Sequence, residues 1–109
     1  MDFTFSEEQD AVRDLATQVF EGHATPERVK EVERSEERVD RELWRALADA
    51  GLLAIAVPEE HGGSGLGLAE LCLLLEQQGR RVAPVPLWPT LVLGALAIAE
   101  FGSPEQQRA

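Results

Sequence analysis

Residues 51–80 read GLLAIAVPEEHGGSGLGLAELCLLLEQQGR, and the order of the pieces inside this stretch decides the fold. Six apolar residues, Leu52 to Val57, stop at Pro58 and suit either a short buried strand or an extended core segment. Gly62, Gly63, Gly65 and Gly67 then offer backbone positions open to positive φ or to close approach. From Leu68 to Gln78 the residues Leu68, Leu71, Cys72, Leu74 and Leu75 recur at helical spacing, with Glu70, Glu76, Gln77 and Gln78 polar, which predicts a helix closed by Gly79. A strand, turn and helix in that order would also suit a nucleotide phosphate, but the glycines are misplaced for it. A dinucleotide fingerprint counted from Gly63 requires glycine where Leu68 stands, and a P-loop counted from Gly62 requires lysine there. Glu59 and Glu60 would add two negative charges beside the phosphates. The stretch is read as a corner shaped for packing.

Upstream, Ser6 and Gln9 form the pattern of a capping box, and Glu7, Glu8 and Asp10 occupy the first turn, where the helix dipole favours negative charge. Ala11, Val12, Leu15, Ala16, Val19 and Phe20 continue as an apolar stripe that Gly22 ends. Thr25-Pro26 is a second helix start, with threonine as cap and proline in the first helical position. Glu27 to Val39 is highly charged and reads as a surface helix or helical loop. Asp40 caps a third helix through Ala50, striped by Leu43, Trp44, Leu47 and Ala48, and Gly51 suits its left-handed end.

Downstream, Val82 to Ala99 is free of charge for 18 residues and follows Arg80 and Arg81, which imitates a membrane span with a basic flank. Pro84, Pro86 and Pro89 break its first half. The remaining helix, from Leu87 or Thr90 to Phe101, is too short for a hydrocarbon core of roughly 30 Å and is expected to be a core helix. Gly102-Ser103-Pro104 then repeats the grammar of stop, cap and start. Helices joined by short loops make the expected fold all-α, a small bundle of about five helices forming one domain over residues 1–109.

Charge narrows the partners. The chain holds 20 acidic and 10 basic residues, a net charge of −10, which argues against nucleic acid and anionic membranes. The balance is −9 over residues 1–60 and −1 over residues 61–109, so a charged front half precedes an apolar back half that needs a cover. The single cysteine, Cys72, excludes an internal disulfide and a thiolate metal site, and on the apolar side of its helix it is expected to be an inert core thiol. The N-terminal MDFTFSEEQD lacks the features of a secretory or transit peptide, so a cytoplasmic protein is expected.

No residue pattern specifies catalysis. His61 has no carboxylate or nucleophile at a defined spacing, and His23 follows a helix end whose carbonyls it can satisfy. The acid pairs Glu7-Glu8, Glu36-Glu37 and Glu59-Glu60 are adjacent, so on a helix they diverge by about 100° and cannot share a proton. Trp88, between Pro86 and Pro89, suits either one end of a pocket or a core anchor.

Taken in order, the S-E-E-Q opening, the L-x-x-x-G-L-L-x-x-x-x-P-E-E-x-G-G turn, the leucine-rich helix ending E-x-x-G-R and the F-G-S-x-E-Q-Q helix start resemble the N-terminal helical domain of the acyl-CoA dehydrogenase family over essentially the whole chain. The run A-P-V-P-L-W-P-T is similar to actinobacterial-type members that act on branched, steroid or other bulky acyl groups. The resemblance implies α,β-dehydrogenation of an acyl-CoA thioester, FAD in the complete enzyme, electron-transfer flavoprotein as electron acceptor, and a homo- or hetero-oligomer. It also implies that the catalytic carboxylate and most flavin contacts belong to β and C-terminal domains absent here, so neither a base nor a flavin ligand is assigned in this chain, which is expected to be inactive and flavin-free alone. The domain would be truncated early in the helix starting near Pro104. The alternatives are a free-standing helical subunit that completes an oligomer, or an unrelated interaction domain. By the same resemblance, Val85, Pro86, Trp88, Pro89, Thr90 and Leu93 are candidates to line the acyl-chain cavity.

Overall fold

The computed structural model describes residues 3–109; Met1 and Asp2, the start of the N-terminal stretch read above, lie outside the described residues. The order is α1 (Glu7–His23), α2 (Pro26–Arg34), α3 (Arg41–Asp49), two short 3₁₀ turns (Leu52–Ala54 and Glu59–His61), α4 (Leu68–Arg81), a π-helix (Trp88–Leu96) running directly into α5 (Ala97–Phe101), and α6 (Pro104–Arg108). No strand occurs among the described residues, and the all-α expectation holds.

The helix starts follow local chemistry. Gln9 donates its backbone N–H to Ser6 Oγ at 3.1 Å, and the Ser6 N–H returns to Gln9 Oε1 at 3.0 Å. The Gln9 side chain also donates to Glu70 Oε1, whose other oxygen accepts the Gly67 amide, so the starts of α1 and α4 are joined. Ser103 and Gln106 cap α6 by the same reciprocal pair, and Thr25 caps α2 by accepting the Arg28 amide, each cap followed by proline. Between α1, α3 and α4 lie Ala16, Phe20, Leu43, Leu47, Leu71 and Leu74, all fully buried, with Leu87 and Leu91 closing the cluster from the far side. Each large apolar side chain so buried contributes about 1.5–3 kcal/mol. The molecule is a slab of 40 × 38 × 21 Å, so it is two helices deep, a helix with side chains being roughly 10 Å across.

Several boundaries differ from the sequence expectation. Leu52 to Val57 is not a strand or an extended segment. Gly51 takes a left-handed φ of +78°, and the residues after it curl into a 3₁₀ turn that buries Leu52 and Ile55. With no strand beside it, the segment's backbone is satisfied by its own turn, Val57 to Ala54, and by the amides of Ser64, Gly65 and Leu66 from the glycine corner. Gly22 lies inside α1, which ends one residue later with Ala24 donating to the Phe20 carbonyl. Gly79 lies inside α4, which continues to Arg81. The buried face of α4 comprises Leu71, Leu73, Leu74 and Gln77, rotated away from Leu68, which is 60% exposed, and from Cys72, which is exposed rather than a core thiol. Gly102 ends α5 without a left-handed φ; it is needed because a Cβ there would stand 2.5 Å from the Ile98 carbonyl oxygen. No helix of the described residues is long and apolar enough to cross a membrane.

Candidate functional site

The segment between α4 and the π-helix is held by a dense set of hydrogen bonds. Ala83 donates to the Gln78 carbonyl and Val82 to that of Gly79, the paired bonds of a Schellman ending. The left-handed position of that motif, where glycine is common, is held by Val82 at φ +51°. Val85 then donates to Ala83 O at 2.9 Å and Leu87 to Val85 O at 3.0 Å. These are two successive three-residue turns centred on Pro84 and Pro86, and the ring-fixed φ of proline, about −65°, is close to what such turns require. Alternating prolines therefore produce a stiff strap, residues 83–87, instead of merely interrupting a helix.

The strap is held from outside as well. Gln78 Nε2 donates to Ala83 O at 3.2 Å and to Val85 O at 2.7 Å, and the Asp40 amide donates to Pro84 O at 2.9 Å. Asp40 is itself the start of α3: its carboxylate accepts from the Leu43 amide at 3.1 Å and receives Arg28 on both oxygens, at 3.1 and 3.2 Å. The residue is only 1% exposed. Burial pushes its pKa up, but the Arg28 hydrogen bonds and the amides of Leu43 and Glu42 outweigh this and hold the carboxyl below the usual carboxylate range, while the same pairing raises Arg28. Arg28 of α2, Asp40 of α3 and Pro84 of the strap thus form one continuous chain of contacts.

Beyond the strap, Trp88–Leu96 is a π-helix, a form found mostly in short stretches and often at functional sites. Its outer side presents Trp88, 54% exposed, Pro89, Thr90 and Leu93, 62% exposed, and continues to Ile98 and Phe101 of α5. Leu87 and Leu91 point inward. Of the six candidates from sequence, Val85 is buried in the core and Pro86 is half-buried. The other four, Trp88, Pro89, Thr90 and Leu93, share the exposed side. Pro86 also lines an open groove of about 450 Å³ with Glu37, Val39, Arg41 and Trp44. Arg41 engages Glu37 at 2.7 and 2.9 Å, and this hydrogen bonding lowers the Glu37 pKa. Trp44 and Val39 belong to this surface but were legible only as helix-stripe or charged-segment residues, because nothing in their spacing marks a neighbour more than 40 positions away.

The glycine corner gives the opposite result. The amides of His61 to Gly63 donate to the Pro58 and Glu59 carbonyls, those of Ser64 to Leu66 donate to Ala54, Val57 and Ile55, and that of Gly67 donates to Glu70. A Cβ on Gly63 would lie 2.0 Å from the Val57 carbonyl oxygen. The amides of residues 61–67 are engaged in closing the corner, in keeping with the packing role expected from the glycine spacing.

Residues 6–109 match the family model described as acyl-CoA dehydrogenase, N-terminal domain. The chain is 44% identical over 108 residues to the acyl-CoA dehydrogenase FadE27 of Mycobacterium tuberculosis, covering 99% of this chain and 29% of that protein. Among solved structures it is similar to a chain of a variant of the Tcur3481-Tcur3483 steroid ACAD, with 61% identity and a TM-score of 0.89, covering 93% of this chain and 28% of that one. It is also similar to a chain of the ChsE4-ChsE5 complex from Mycobacterium tuberculosis, with 43% identity and a TM-score of 0.93, covering 100% and 30% respectively. The chain therefore spans less than a third of the length of these relatives.

Proposed function

The chain belongs to the acyl-CoA dehydrogenase family, of which it carries the N-terminal domain, and on that premise we propose that its strap and π-helix form one wall of the acyl-chain pocket in a complete enzyme. The reaction is α,β-dehydrogenation of an acyl-CoA thioester: a base outside this chain removes the α proton, and hydride leaves the β carbon. FAD, held mainly by the rest of the enzyme, supplies the hydride acceptor when bound, and electron-transfer flavoprotein collects the electrons. The domain alone is inactive. A relative at 61% identity is described as a steroid ACAD, which supports a bulky, ring-bearing acyl group, and a relative at 43% identity comes from a two-component complex, which supports assembly with a sister subunit.

The observation that carries the reading is the outer side of Trp88 to Leu93, apolar apart from the Thr90 hydroxyl and without a charge from Val82 to Ala99. A pocket for a carbon skeleton needs such walls, since each unpaired buried donor or charge would cost several kcal/mol. The domain contributes shape and dryness here, while the proton and hydride move elsewhere. In the complete FAD-loaded enzyme, Trp88→Ala is expected to raise KM for a bulky acyl-CoA about tenfold and to leave a short acyl-CoA nearly unchanged, as loss of uniform binding area predicts. Equal kinetics of mutant and parent on both substrates would remove Trp88 from the wall.

A further inference from the structure

The wall is only as well placed as the strap that leads into it, and two of the bonds that hold that strap from outside come from one side chain. We propose that Gln78 is a positioning residue for substrate selectivity: its carboxamide clamps the Ala83 and Val85 carbonyls and so fixes the direction in which Pro86 and Trp88 leave the strap. The inference rests on the reading of Trp88 and its neighbours as the acyl-chain wall.

The geometry is particular to an amide donor. Gln78 Nε2 lies 3.2 Å from Ala83 O and 2.7 Å from Val85 O, and its two N–H bonds match the two acceptors. The Asp40 amide takes the carbonyl between them, that of Pro84, so three consecutive acceptors are held from two different helices. Leucine at position 78 fills the space without donating, and glutamate would set a carboxylate against two carbonyl dipoles. In either case the internal turns at Pro84 and Pro86 persist, because their bonds run from Val85 to Ala83 and from Leu87 to Val85. What is lost is the side-chain tie between the strap and α4, leaving only the Ala83 amide on the Gln78 carbonyl at the strap's first residue. The strap can then tilt as a unit, and the pocket rim moves with it. Gln78 is half-buried beside fully buried Leu74 and 4%-exposed Gln77.

The test uses the complete FAD-loaded enzyme carrying Gln78→Leu or Gln78→Glu, assayed with a straight-chain and a fused-ring acyl-CoA. The ratio of kcat/KM between the two is expected to change about tenfold, the effect of losing two hydrogen bonds of ordinary net strength, while flavin content stays unchanged. A fall by the same factor on both substrates, or no change, overturns the proposal. Should the leucine and glutamate variants fail to fold, Gln78→Asn, which keeps the amide but falls short of both carbonyls, carries the same expectation. A second readout is independent of turnover. With Trp44 and any tryptophan elsewhere in the enzyme replaced by phenylalanine, so that Trp88 alone emits, its acrylamide quenching is expected to rise about twofold on Gln78→Leu as the rim loosens, two bonds of ordinary strength being lost. Unchanged quenching overturns the clamp. If the parent enzyme dehydrogenates neither thioester, the functional reading fails, and the quenching result still decides whether Gln78 positions the strap.

Discussion

Helix α4 lies between two tight connections that are closed by opposite means. The glycine corner before it, residues 62–67, satisfies its amides from its own flanks, mostly from residues 54–59. The proline strap after it, residues 83–87, makes only two internal bonds and is held mainly by Gln78 and Asp40, with the Thr90 amide on the Pro86 carbonyl at its far end. A self-closed corner depends on backbone clearance and says little about ligands. A strap held by partners depends on distant side chains, and it inherits their chemistry and their pH dependence. The connection with the stronger sequence signature is therefore the less informative one about function.

The sharpest way to break this contrast is at Gly63. Alanine there would force a Cβ into the Val57 carbonyl, and a clash with backbone cannot be relieved by a rotamer change, so Gly63→Ala is expected to cost about 3 kcal/mol or more, read as a lower urea midpoint. A midpoint within error of the parent would mean that the corner is looser than described.

At the strap the matching change is Asp40→Ala, which removes the α3 cap and leaves Arg28 without its main partner. A loss of about 2–3 kcal/mol is expected, the sum of an ordinary cap and part of a buried pair. The sign with pH follows from the folded carboxyl lying below its ordinary value near 3.9. The pair's contribution is complete above that value and disappears as pH falls through the lower folded pKa, so the parent loses stability on acidification below about pH 4. Asp40→Asn should show less of that loss over the same window. Parallel acid profiles for the two proteins would show that other carboxylates dominate.

The smallest effect is expected at Val82. A β-branched residue with positive φ stores about 1–2 kcal/mol of backbone strain, and this side chain, 71% exposed, has little packing to lose. Val82→Gly is expected to raise stability by about 1 kcal/mol after its larger unfolded-state entropy is counted, visible as a higher Tm. A decrease would show that the packing of the valine side chain outweighs its backbone strain.

The features legible in the sequence are those decided within four or five residues. Ser6 with Gln9, Thr25 with Pro26, Asp40, Gly51 and Ser103 with Pro104 all cap or end helices as their spacing indicates. Rotation of the α4 face was not legible, because Leu68, Cys72 and Leu73 are similar in hydropathy and only the positions of α1 and the strap decide which are covered. The helix ends at Gly22 and Gly79 were misplaced for a related reason: glycine permits termination, but tertiary contacts carried α4 two residues further to a strained valine. The π-helix left no periodic signal in a run that is apolar on every side. For the candidate site, sequence brought out Trp88, Pro89, Thr90 and Leu93 as neighbours, while Trp44, Val39 and the Gln78 clamp emerge only when α3 and α4 are set against the strap.

The slab is two helices deep, and that thinness has a consequence for how such a domain can diversify. Leu87, fully buried, and Trp88, mostly exposed, are consecutive residues. No layer of filler separates the core from the outer face, so a change in core volume at Leu87 or Leu91 is passed to the face within a single residue. If the face is the acyl-chain wall proposed above, selection for stability and selection for a different acyl group act on the same few positions, and a lineage that alters one must renegotiate the other.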